Sequence, residues 1–345
     1  MKTGVAVLTG KRRAADLTVA AKFFDALRSA GQFPDFTAFV SSDKDLKTVL
    51  SGDFDLFFVL TSTPSETERF LLSLGSAFDD GLIKSKFPIA VISENGDFYK
   101  EIKDCSEKVS KVKTDKITFR LFGLERSVIA ERANAIQEEY GEVYFDCTAL
   151  GLDVKVNLFY GEQTPKMLVD SAVKDFILSF KDNIYAQDDV SLYETFLNVL
   201  RLRNRKVTTA ESMTGGKIAS DIITVPGASD IYYEGFITYD TTAKEHRLGV
   251  EHAVVVKETV VSAAVAYEMA KGLLSFGFAS VAISITGYAG GNKKQESDGL
   301  CYIGVGVDDD IEVYKYKFSG TREEVIKNAA DTAIFIALKK VVATD

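Results

Sequence analysis

The first third of the chain alternates short, wholly apolar runs with helical patterns, and this alternation constrains the fold more than any other feature. The runs GVAVLTG, FDLFFVLTS and FPIAVISENG are separated by amphipathic stretches such as DLTVAAKFFDALRSAG. Strands that are apolar on both faces and joined by helices are typical of a parallel sheet covered on two sides. Residues 1–113 are therefore predicted to form a parallel α/β domain.

Two further regions follow along the chain. The lysine-rich tract 103–116 is interpreted as a connection, and residues 114–186 then show the order β-α-β-β-α of a small α+β domain. This order is KH-like, but the segment lacks the Gly-x-x-Gly loop with which KH domains bind nucleic acid. Residues 187–345 begin with a capped helix start and return to mixed strands and helices. The predicted fold class is therefore α/β and α+β, in three domains.

Charge and cysteine content disfavour several classes of protein. The net charge of −9 disfavours binding to nucleic acid through its phosphates, and the dense basic stretch RLRNRK (201–206) is interpreted as a solvated helix end. The three cysteines form neither a disulfide framework nor a zinc pattern. The amino-terminal apolar run is predicted to be a strand rather than a signal peptide, and no apolar run is long enough to span a membrane. We expect a cytoplasmic protein that binds neither nucleic acid nor membranes.

The segment TTAESMTGGKIAS (208–220) combines small hydroxyl residues and glycines at a predicted strand-to-helix junction. An apolar helical pattern follows its small residues, which are Ser212, Thr214, Gly215 and Gly216. Free backbone N–H groups at the start of a helix, together with the hydroxyl groups, are predicted to converge on one point. That arrangement suits an anion or an oxygen atom that becomes one.

A hydroxyl nucleophile in this segment needs a base. The two histidines, His246 and His252, lie in a polar stretch and are predicted to be surface residues. Lysine can replace histidine if its pKa falls from about 10.4 to about 7–8, through burial or a neighbouring cation. Tyr239 and Lys244 lie in FITYDTTAKEHRLGV, where composition alone would predict a strand-end tyrosine and a solvated lysine.

Six motifs, in order, change this interpretation. They resemble AESCTGG, VPGSS, YSNxxK, AVS, TGIAGP and FxGxR of the C-terminal domain of the CinA (competence/damage-inducible protein) family. In this chain the similar segments are AESMTGG (210–216), VPGAS (225–229), YDTTAK (239–244), VVS (260–262), TGYAGG (286–291) and FSGTR (318–322). The steps of 27 residues from Ser212 to Tyr239 and 5 residues from Tyr239 to Lys244 also agree with the family's Ser, Tyr and Lys.

The resemblance implies an activity, because characterised CinA proteins include nicotinamide mononucleotide deamidases. Ser212 would attack the carboxamide, Lys244 would accept its proton, and Tyr239 would bridge or orient the two. Thr214 is an alternative nucleophile, and N–H groups around Thr214 and Gly215 would stabilise the oxyanion. The substrate-binding residues that the resemblance implies are Thr214, Gly215, Gly216, Thr286, Gly287 and, for the phosphate, Arg322. The products would be nicotinate mononucleotide and ammonia, formed by a homodimer without metal or cofactor.

The resemblance continues into the middle region and weakens in the first. LFGLERSVIAER and DNIYAQDDVSLYETFLNVL look like the family's middle domain. The family opens with a molybdopterin-cofactor-binding-like domain whose loop resembles TGGLGPTKDD, whereas the strand FDLFFVL here runs into TSTPSETER. Asp79 and Asp80 are interpreted as a helix-ending turn rather than a metal site. A degenerate, structural first domain is therefore expected.

Differences from the family within the third region leave the substrate and the function open. Met213 replaces the family's cysteine, which apolar packing would tolerate, and Asp240 and Thr241 replace Ser and Asn. The altered loop 288–298 leaves the substrate undecided among pyridine nucleotides and related amides. Two alternative functions remain, a non-catalytic protein that binds a nucleotide or partner and a residual ADP-ribose pyrophosphatase in the first domain.

Overall fold

The structure is a computed structural model that describes residues 2–8, 17–74, 77–79, 81–109, 114–290 and 297–344. Asp80, the 110–113 part of the predicted connection and the 291–296 part of the altered loop lie outside the described residues. Within the described ranges no helix is long and apolar enough to cross a membrane.

The first region is an α/β unit, as predicted. Its sheet has the order β2-β1-β3-β6-β5-β4, in which β1, β2, β3 and β6 are parallel and the β4–β5 hairpin is antiparallel. The elements are β1 Thr3–Leu8, α1 Leu17–Ser29, β2 Phe36–Val40, α2 Asp43–Val49, β3 Leu56–Thr61, α3 Pro64–Ser73, β4 Ala77–Asp79, β5 Leu82–Lys84, β6 Pro88–Ser93 and α4 Phe98–Val109. The antiparallel edge was not predicted.

Two local predictions in this region are wrong. Asp79 ends strand β4 and is not part of a helix-ending turn. The tract 103–116 is not a connection, because α4 continues to Val109 and β7 already begins at Thr114. Ile102 and Ser106, one helical turn apart, are buried on the inner face of α4, whereas Lys103 and Lys108 of the tract are exposed on the same helix.

The middle region has the predicted order β-α-β-β-α. Its elements are β7 Thr114–Phe122, α5 Arg126–Tyr140, β8 Val143–Leu150, β9 Asp153–Gly161, α6 Lys166–Phe180 and β10 Ile184–Ala186, and its sheet has the order β10-β7-β9-β8. The chain divides into two compact units whose limits fall inside this region. The second unit contains Thr118–Arg132, Cys147–Val156 and Phe176–Asp345. The three-domain limits of 113 and 186 stay predictions.

The last region is an α/β sheet between helices. Its elements are α7 Leu192–Leu202, β11 Val207–Glu211, α8 Lys217–Ile223, a 3₁₀ turn Ala228–Asp230, β12 Tyr232–Ile237, α9 Thr241–Leu248, α10 His252–Glu258, α11 Ala263–Ser275, β13 Val281–Gly287, β14 Leu300–Val307, β15 Asp310–Lys317 and α12 Arg322–Ala343. The sheet order is β12-β11-β13-β14-β15, with the first three strands parallel. The carboxyl ends of β11, β12 and β13 therefore meet at one edge, where ligands bind in such sheets.

Helices cover both faces of this sheet. Along β13, Ile283 packs in the cluster that holds α12, whereas the adjacent Ala282 packs against α11. Neighbouring residues of a strand point to opposite faces, so α11 and α12 bury the sheet from both sides. The sheet edge that carries the candidate site is thereby held on a rigid support.

Candidate active site

Ser212 is the first residue beyond strand β11. Its backbone N–H donates to the carbonyl of Ile285 on β13 at 3.0 Å, so the pairing of the two strands continues one residue past β11. The side chain is nearly buried, with 8% of the residue exposed. Ser212 is thus fixed at the carboxyl edge of the sheet.

Lys244 lies on α9 and reaches back to this serine. The residue has 0% exposure, and its Nζ lies 3.0 Å from Ser212 Oγ. Nζ also donates to two backbone carbonyls, that of Thr238 at 2.6 Å and that of Tyr239 at 3.4 Å. The fold therefore brings together a serine and a lysine that are 32 positions apart.

Burial lowers the pKa of Lys244 below its usual 10.5, and the negative charge of Asp240 partly opposes this shift. A neutral lysine amine has two N–H groups and one lone pair. With the N–H groups directed at the carbonyls of Thr238 and Tyr239, the lone pair is left to face Ser212. In that state Lys244 can accept the hydroxyl proton of Ser212.

Tyr239 does not stand between Ser212 and Lys244. The two side chains contact each other directly, and 66% of Tyr239 is exposed. The predicted bridging role is therefore wrong. Tyr239 orients Lys244 through its backbone carbonyl, and its ring borders the cavity described below.

The N–H groups at the start of α8 are not open to an outside anion. Glu211, which has 1% exposure, accepts hydrogen bonds from the N–H groups of Gly216 at 3.0 Å, Ile218 at 3.1 Å and Ala219 at 2.8 Å. The N–H of Gly215 donates to the carbonyl of Ser212 at 3.1 Å. The predicted anion site at this helix start is therefore wrong, because the Glu211 carboxylate occupies the N–H groups of Gly216, Ile218 and Ala219. The predicted oxyanion contact from Gly215 is also wrong, because the Ser212 carbonyl occupies its N–H.

Thr214, Gly215 and Gly216 shape the turn without lining the cavity. Both glycines have left-handed backbone angles, with φ of 60° and 97°, which is the conformation that turns the chain from β11 into α8. The Thr214 hydroxyl is buried and has no hydrogen-bond partner in the described part of the chain. Lys244 Nζ is hydrogen-bonded to the hydroxyl of Ser212 and, among the described residues, not to that of Thr214. The geometry therefore favours Ser212 over Thr214 as a nucleophile.

A cavity of about 660 Å³ opens at the Ser212–Lys244 pair, within the size range of small-molecule sites. Its walls combine the pair with two tyrosines, a carboxylate and a guanidinium. The lining residues are Ser212, Met213, Tyr239, Thr241, Lys244, Val260, Val261, Thr286, Gly287, Tyr288, Ala289, Gly290, Asp298 and Arg322. Sequence reasoning missed Tyr288 and Asp298 because they lie in the loop where the chain departs from the family pattern.

Three predicted binding residues lie on this cavity. Arg322, the first residue of α12, donates through its guanidinium to the carbonyl of Gly290. The Thr286 hydroxyl donates to the carbonyl of Val260 at 3.0 Å, so it secures the cavity wall. Gly287 is packed so closely that a Cβ there would lie 2.3 Å from the sulfur of Met213.

The positions where the sequence departs from the family have structural roles. Met213 is buried within the apolar cluster around α12, where apolar packing was expected, but it also lines the cavity. Asp240 is the N-cap of α9 and accepts a hydrogen bond from the N–H of Thr242 at 2.8 Å. These hydrogen bonds from Thr242 hold the pKa of Asp240 below its usual value, so Asp240 is a fixed negative charge near Lys244.

The two histidines, His246 and His252, are surface residues, as predicted. Both are exposed, and His252 contacts Glu245 at 2.8 Å. Among the residues that the structure describes, no group of three or more His, Cys, Asp or Glu side chains is arranged to hold a metal ion.

These features define an α/β domain whose carboxyl sheet edge carries a buried serine–lysine pair in a ligand-sized cavity. Residues 189–341, which contain the whole site, match the model of the family described as the CinA C-terminal domain. Residues 189–341 therefore belong to the CinA C-terminal domain family. The predicted resemblance is confirmed.

Curated relatives share this family name. A putative competence-damage inducible protein of Caldicellulosiruptor saccharolyticus is 33% identical over 68% of this chain and 58% of its own length. One of Caldicellulosiruptor bescii is 30% identical over 76% of this chain and 65% of its own length. The chain thus spans about 60% of the length of these relatives.

Solved CinA structures match a smaller part of the chain. A CinA superfamily protein from Klebsiella pneumoniae is 29% identical and covers 44% of this chain and 96% of its own, with a TM-score of 0.42. A CinA superfamily protein from Escherichia coli covers 44% of this chain at the same identity, with a TM-score of 0.40.

Proposed function

We propose that the C-terminal domain hydrolyses the carboxamide of nicotinamide mononucleotide, with Ser212 as nucleophile and Lys244 as base, and releases nicotinate mononucleotide and ammonia. The observation that carries this proposal is the 3.0 Å contact between the buried Lys244 Nζ and Ser212 Oγ at a 660 Å³ cavity. A pure binding protein has no need of a desolvated lysine beside a serine hydroxyl, and burying an amine costs stability.

The first half of the reaction forms an ester on Ser212. As Ser212 Oγ bonds to the carboxamide carbon, its proton passes to Lys244 Nζ and the carbonyl oxygen becomes an oxyanion. The carbon–nitrogen bond then breaks, and the proton on Lys244 is given to the departing nitrogen, which leaves as ammonia. Lys244 returns to its neutral state.

The second half repeats these steps with water. Lys244 takes a proton from a water molecule as the water oxygen bonds to the ester carbon. The bond to Ser212 Oγ then breaks, Ser212 regains a proton from Lys244, and the product leaves as a carboxylic acid that loses its proton to the solvent. Each proton that Lys244 accepts is returned within the same half, so one base serves both.

We propose the N–H of Gly287 as the donor that stabilises the oxyanion. The next residue, Tyr288, directs its N–H toward β14, where it donates to the Leu300 carbonyl at 2.8 Å. Backbone N–H groups alternate sides along a strand, so that of Gly287 points away from β14. Gly287 lines the cavity. An oriented donor of this kind is worth about 3 kcal/mol in a transition state.

The cavity also suits the rest of this substrate. Tyr239 and Tyr288 line it, and the face of an aromatic ring attracts a cationic ring such as a pyridinium. Arg322 supplies a guanidinium with five donors, of which one is directed to Gly290. The others suit a phosphate group.

The test is ammonia release from nicotinamide mononucleotide and from nicotinamide riboside, which lacks the phosphate. Wild type is expected to hydrolyse the mononucleotide, and Arg322→Gln is expected to raise KM for the mononucleotide by about 10-fold or more while leaving riboside hydrolysis unchanged. ADP-ribose is assayed in parallel for AMP release. Absence of ammonia release together with AMP formation would move the activity to the first domain.

A further inference from the structure

Glu211 is a buried carboxylate beside the proposed nucleophile, and it has three hydrogen bonds to backbone. Its Oε2 accepts from the N–H of Gly216 and of Ile218, and its Oε1 accepts from the N–H of Ala219. The residue has 1% exposure and does not line the cavity. Its charge is therefore directed at the protein and not at a ligand.

These bonds close the turn that carries Ser212. On one side, the N–H of Ser212 is bonded to Ile285 of β13. On the other, the Gly215 N–H donates to the Ser212 carbonyl, and the next N–H, that of Gly216, donates to Glu211. Ser212 thus lies between Glu211 and the N–H groups that Glu211 holds.

We infer that Glu211 is a positioning residue that fixes Ser212 Oγ against Lys244 Nζ by tying the 212–216 turn to the first turn of α8. This inference rests on the proposed function of Ser212 as nucleophile. A carboxylate that accepts three backbone N–H groups at a helix start forms strong, charge-assisted bonds. A reacting atom held this way keeps its distance to the base, and a displacement of about 1 Å can cost about 100-fold in rate.

The test variant is Glu211→Gln. A carboxamide presents one accepting oxygen and an NH₂ group, so at least one of the three N–H groups loses its acceptor and meets another donor. Glu211→Asp keeps the charge but is one methylene shorter, so it withdraws from the helix start. The matched control is Glu251→Gln, since Glu251 is an exposed helix N-cap whose side chain makes no capping bond.

Two measurements are made on the full chain. One is ammonia release, resolved into kcat and KM. The other is the rate at which a fluorophosphonate labels Ser212, followed by intact mass. In that reaction Ser212 Oγ bonds to phosphorus, fluoride leaves, and Lys244 takes the proton, so labelling reports the pair without any amide substrate.

The expected result for Glu211→Gln and Glu211→Asp is a fall of about 10-fold to 100-fold in both kcat and labelling rate, with KM unchanged. Glu251→Gln keeps wild-type values. A folded Glu211 variant with a lower melting temperature but wild-type labelling would show that Glu211 only stabilises the fold, and would overturn the inference. Should Glu211→Gln fail to fold, Glu211→Asp decides by the same criterion.

Failure of the proposed function is distinguishable. If wild type labels at Ser212 but releases no ammonia from nicotinamide mononucleotide, the substrate assignment fails and Glu211 is judged on labelling alone. If Ser212 is not labelled in wild type, it is not an activated nucleophile, and the inference about Glu211 falls with it.

Discussion

At the residue scale, Lys244 is unusual because its surroundings disfavour the charged form that a lysine ordinarily has. The residue has 0% exposure, which disfavours the charged form of its amine. Among the described residues its amine is hydrogen-bonded to the carbonyls of Thr238 and Tyr239 and to the Ser212 hydroxyl, and the charge of Asp240 offsets the burial only in part. Burial of a reactive residue often lowers the stability of a protein, and we expect the buried Lys244 amine to lower the free energy of unfolding here.

Lys244→Met is expected to stabilise the protein while removing activity. Because burial lowers the Lys244 pKa in the folded state below 10.5, the unfolded chain binds more protons between the folded pKa and 10.5. The wild-type free energy of unfolding therefore rises with pH across that interval. The variant lacks this rise, so its advantage is largest at lower pH and disappears as pH approaches 10.5. Urea unfolding from pH 6 upward measures this.

The matched control is Lys257→Met, which removes an exposed lysine of α10. The difference in free energy of unfolding between Lys257→Met and wild type is expected to be the same at every pH measured. If the difference between Lys244→Met and wild type were also the same at every pH, the lowered pKa of Lys244 would be contradicted.

Asp240→Asn is expected to shift the pH–rate profile to more acidic pH. Lys244 must be neutral to act as a base, so kcat/KM rises with pH through its pKa. The charge of Asp240 raises that pKa, and Asn removes the charge while still capping α9. Asp309→Asn, which neutralises an exposed carboxylate elsewhere, controls for net charge. An unmoved or basic-shifted profile for Asp240→Asn would count against Lys244 as the base.

At the element scale, the turn between β11 and α8 and the segment before α11 set the cavity. Thr259, in the second of these, has φ of 71° and ψ of 158°, a region that non-glycine residues rarely adopt. Val260 and Val261 follow and line the cavity, and the Val260 carbonyl accepts from Thr286. A strained backbone position, Thr259, therefore lies next to residues that line the cavity.

Thr259→Gly is expected to raise the free energy of unfolding by about 1 kcal/mol, because relief of about 1–3 kcal/mol of strain exceeds the entropy that glycine loses on folding. Activity should be retained, since the backbone path is unchanged. Thr224→Gly is the control, because Thr224 has an ordinary φ of −70° and glycine there should destabilise. Thermal unfolding of both variants decides, and a destabilised Thr259→Gly would contradict the strain.

Sequence reasoning reached the elements better than their polar contacts. The succession of strands and helices, including helix α11, follows from periodicity. The pairing of Ser212 with Lys244 was implied by the resemblance to the CinA family. The use of the α8 N–H groups by Glu211 did not, because a glutamate at a strand end looks like a solvated charge until the turn folds back over it. Helix α4 was missed because its exposed face is so rich in lysine and glutamate.

At the scale of the whole molecule, the site lies within the second compact unit, whose core includes residues from before position 187. Phe122 of β7 packs against Phe335 of α12 with ring centroids 5.0 Å apart. Leu152 and Tyr185 pack on the same cluster. The predicted limit at 187 therefore cuts through apolar packing, although it keeps the entire sheet that carries the candidate site.

A fragment of residues 187–345 is expected to fold and to keep its turnover per site, because a chain of about 160 residues buries enough surface to be stable alone. Its melting temperature should be lower than that of a fragment of residues 118–345, which retains Phe122. Calorimetry and ammonia release from both fragments measure this. An unfolded 187–345 fragment, or equal melting temperatures, would contradict the expectation.

The central claim is that Ser212 and Lys244 act together on an amide. Ammonia release from nicotinamide mononucleotide by wild type, Ser212→Ala, Lys244→Met and the double variant tests it most directly. The account predicts that each single variant loses about 100-fold or more in kcat and that the double variant is no worse than either, since the two side chains act as one unit. Losses that multiply in the double variant, or a Ser212→Ala protein with wild-type turnover, would contradict it.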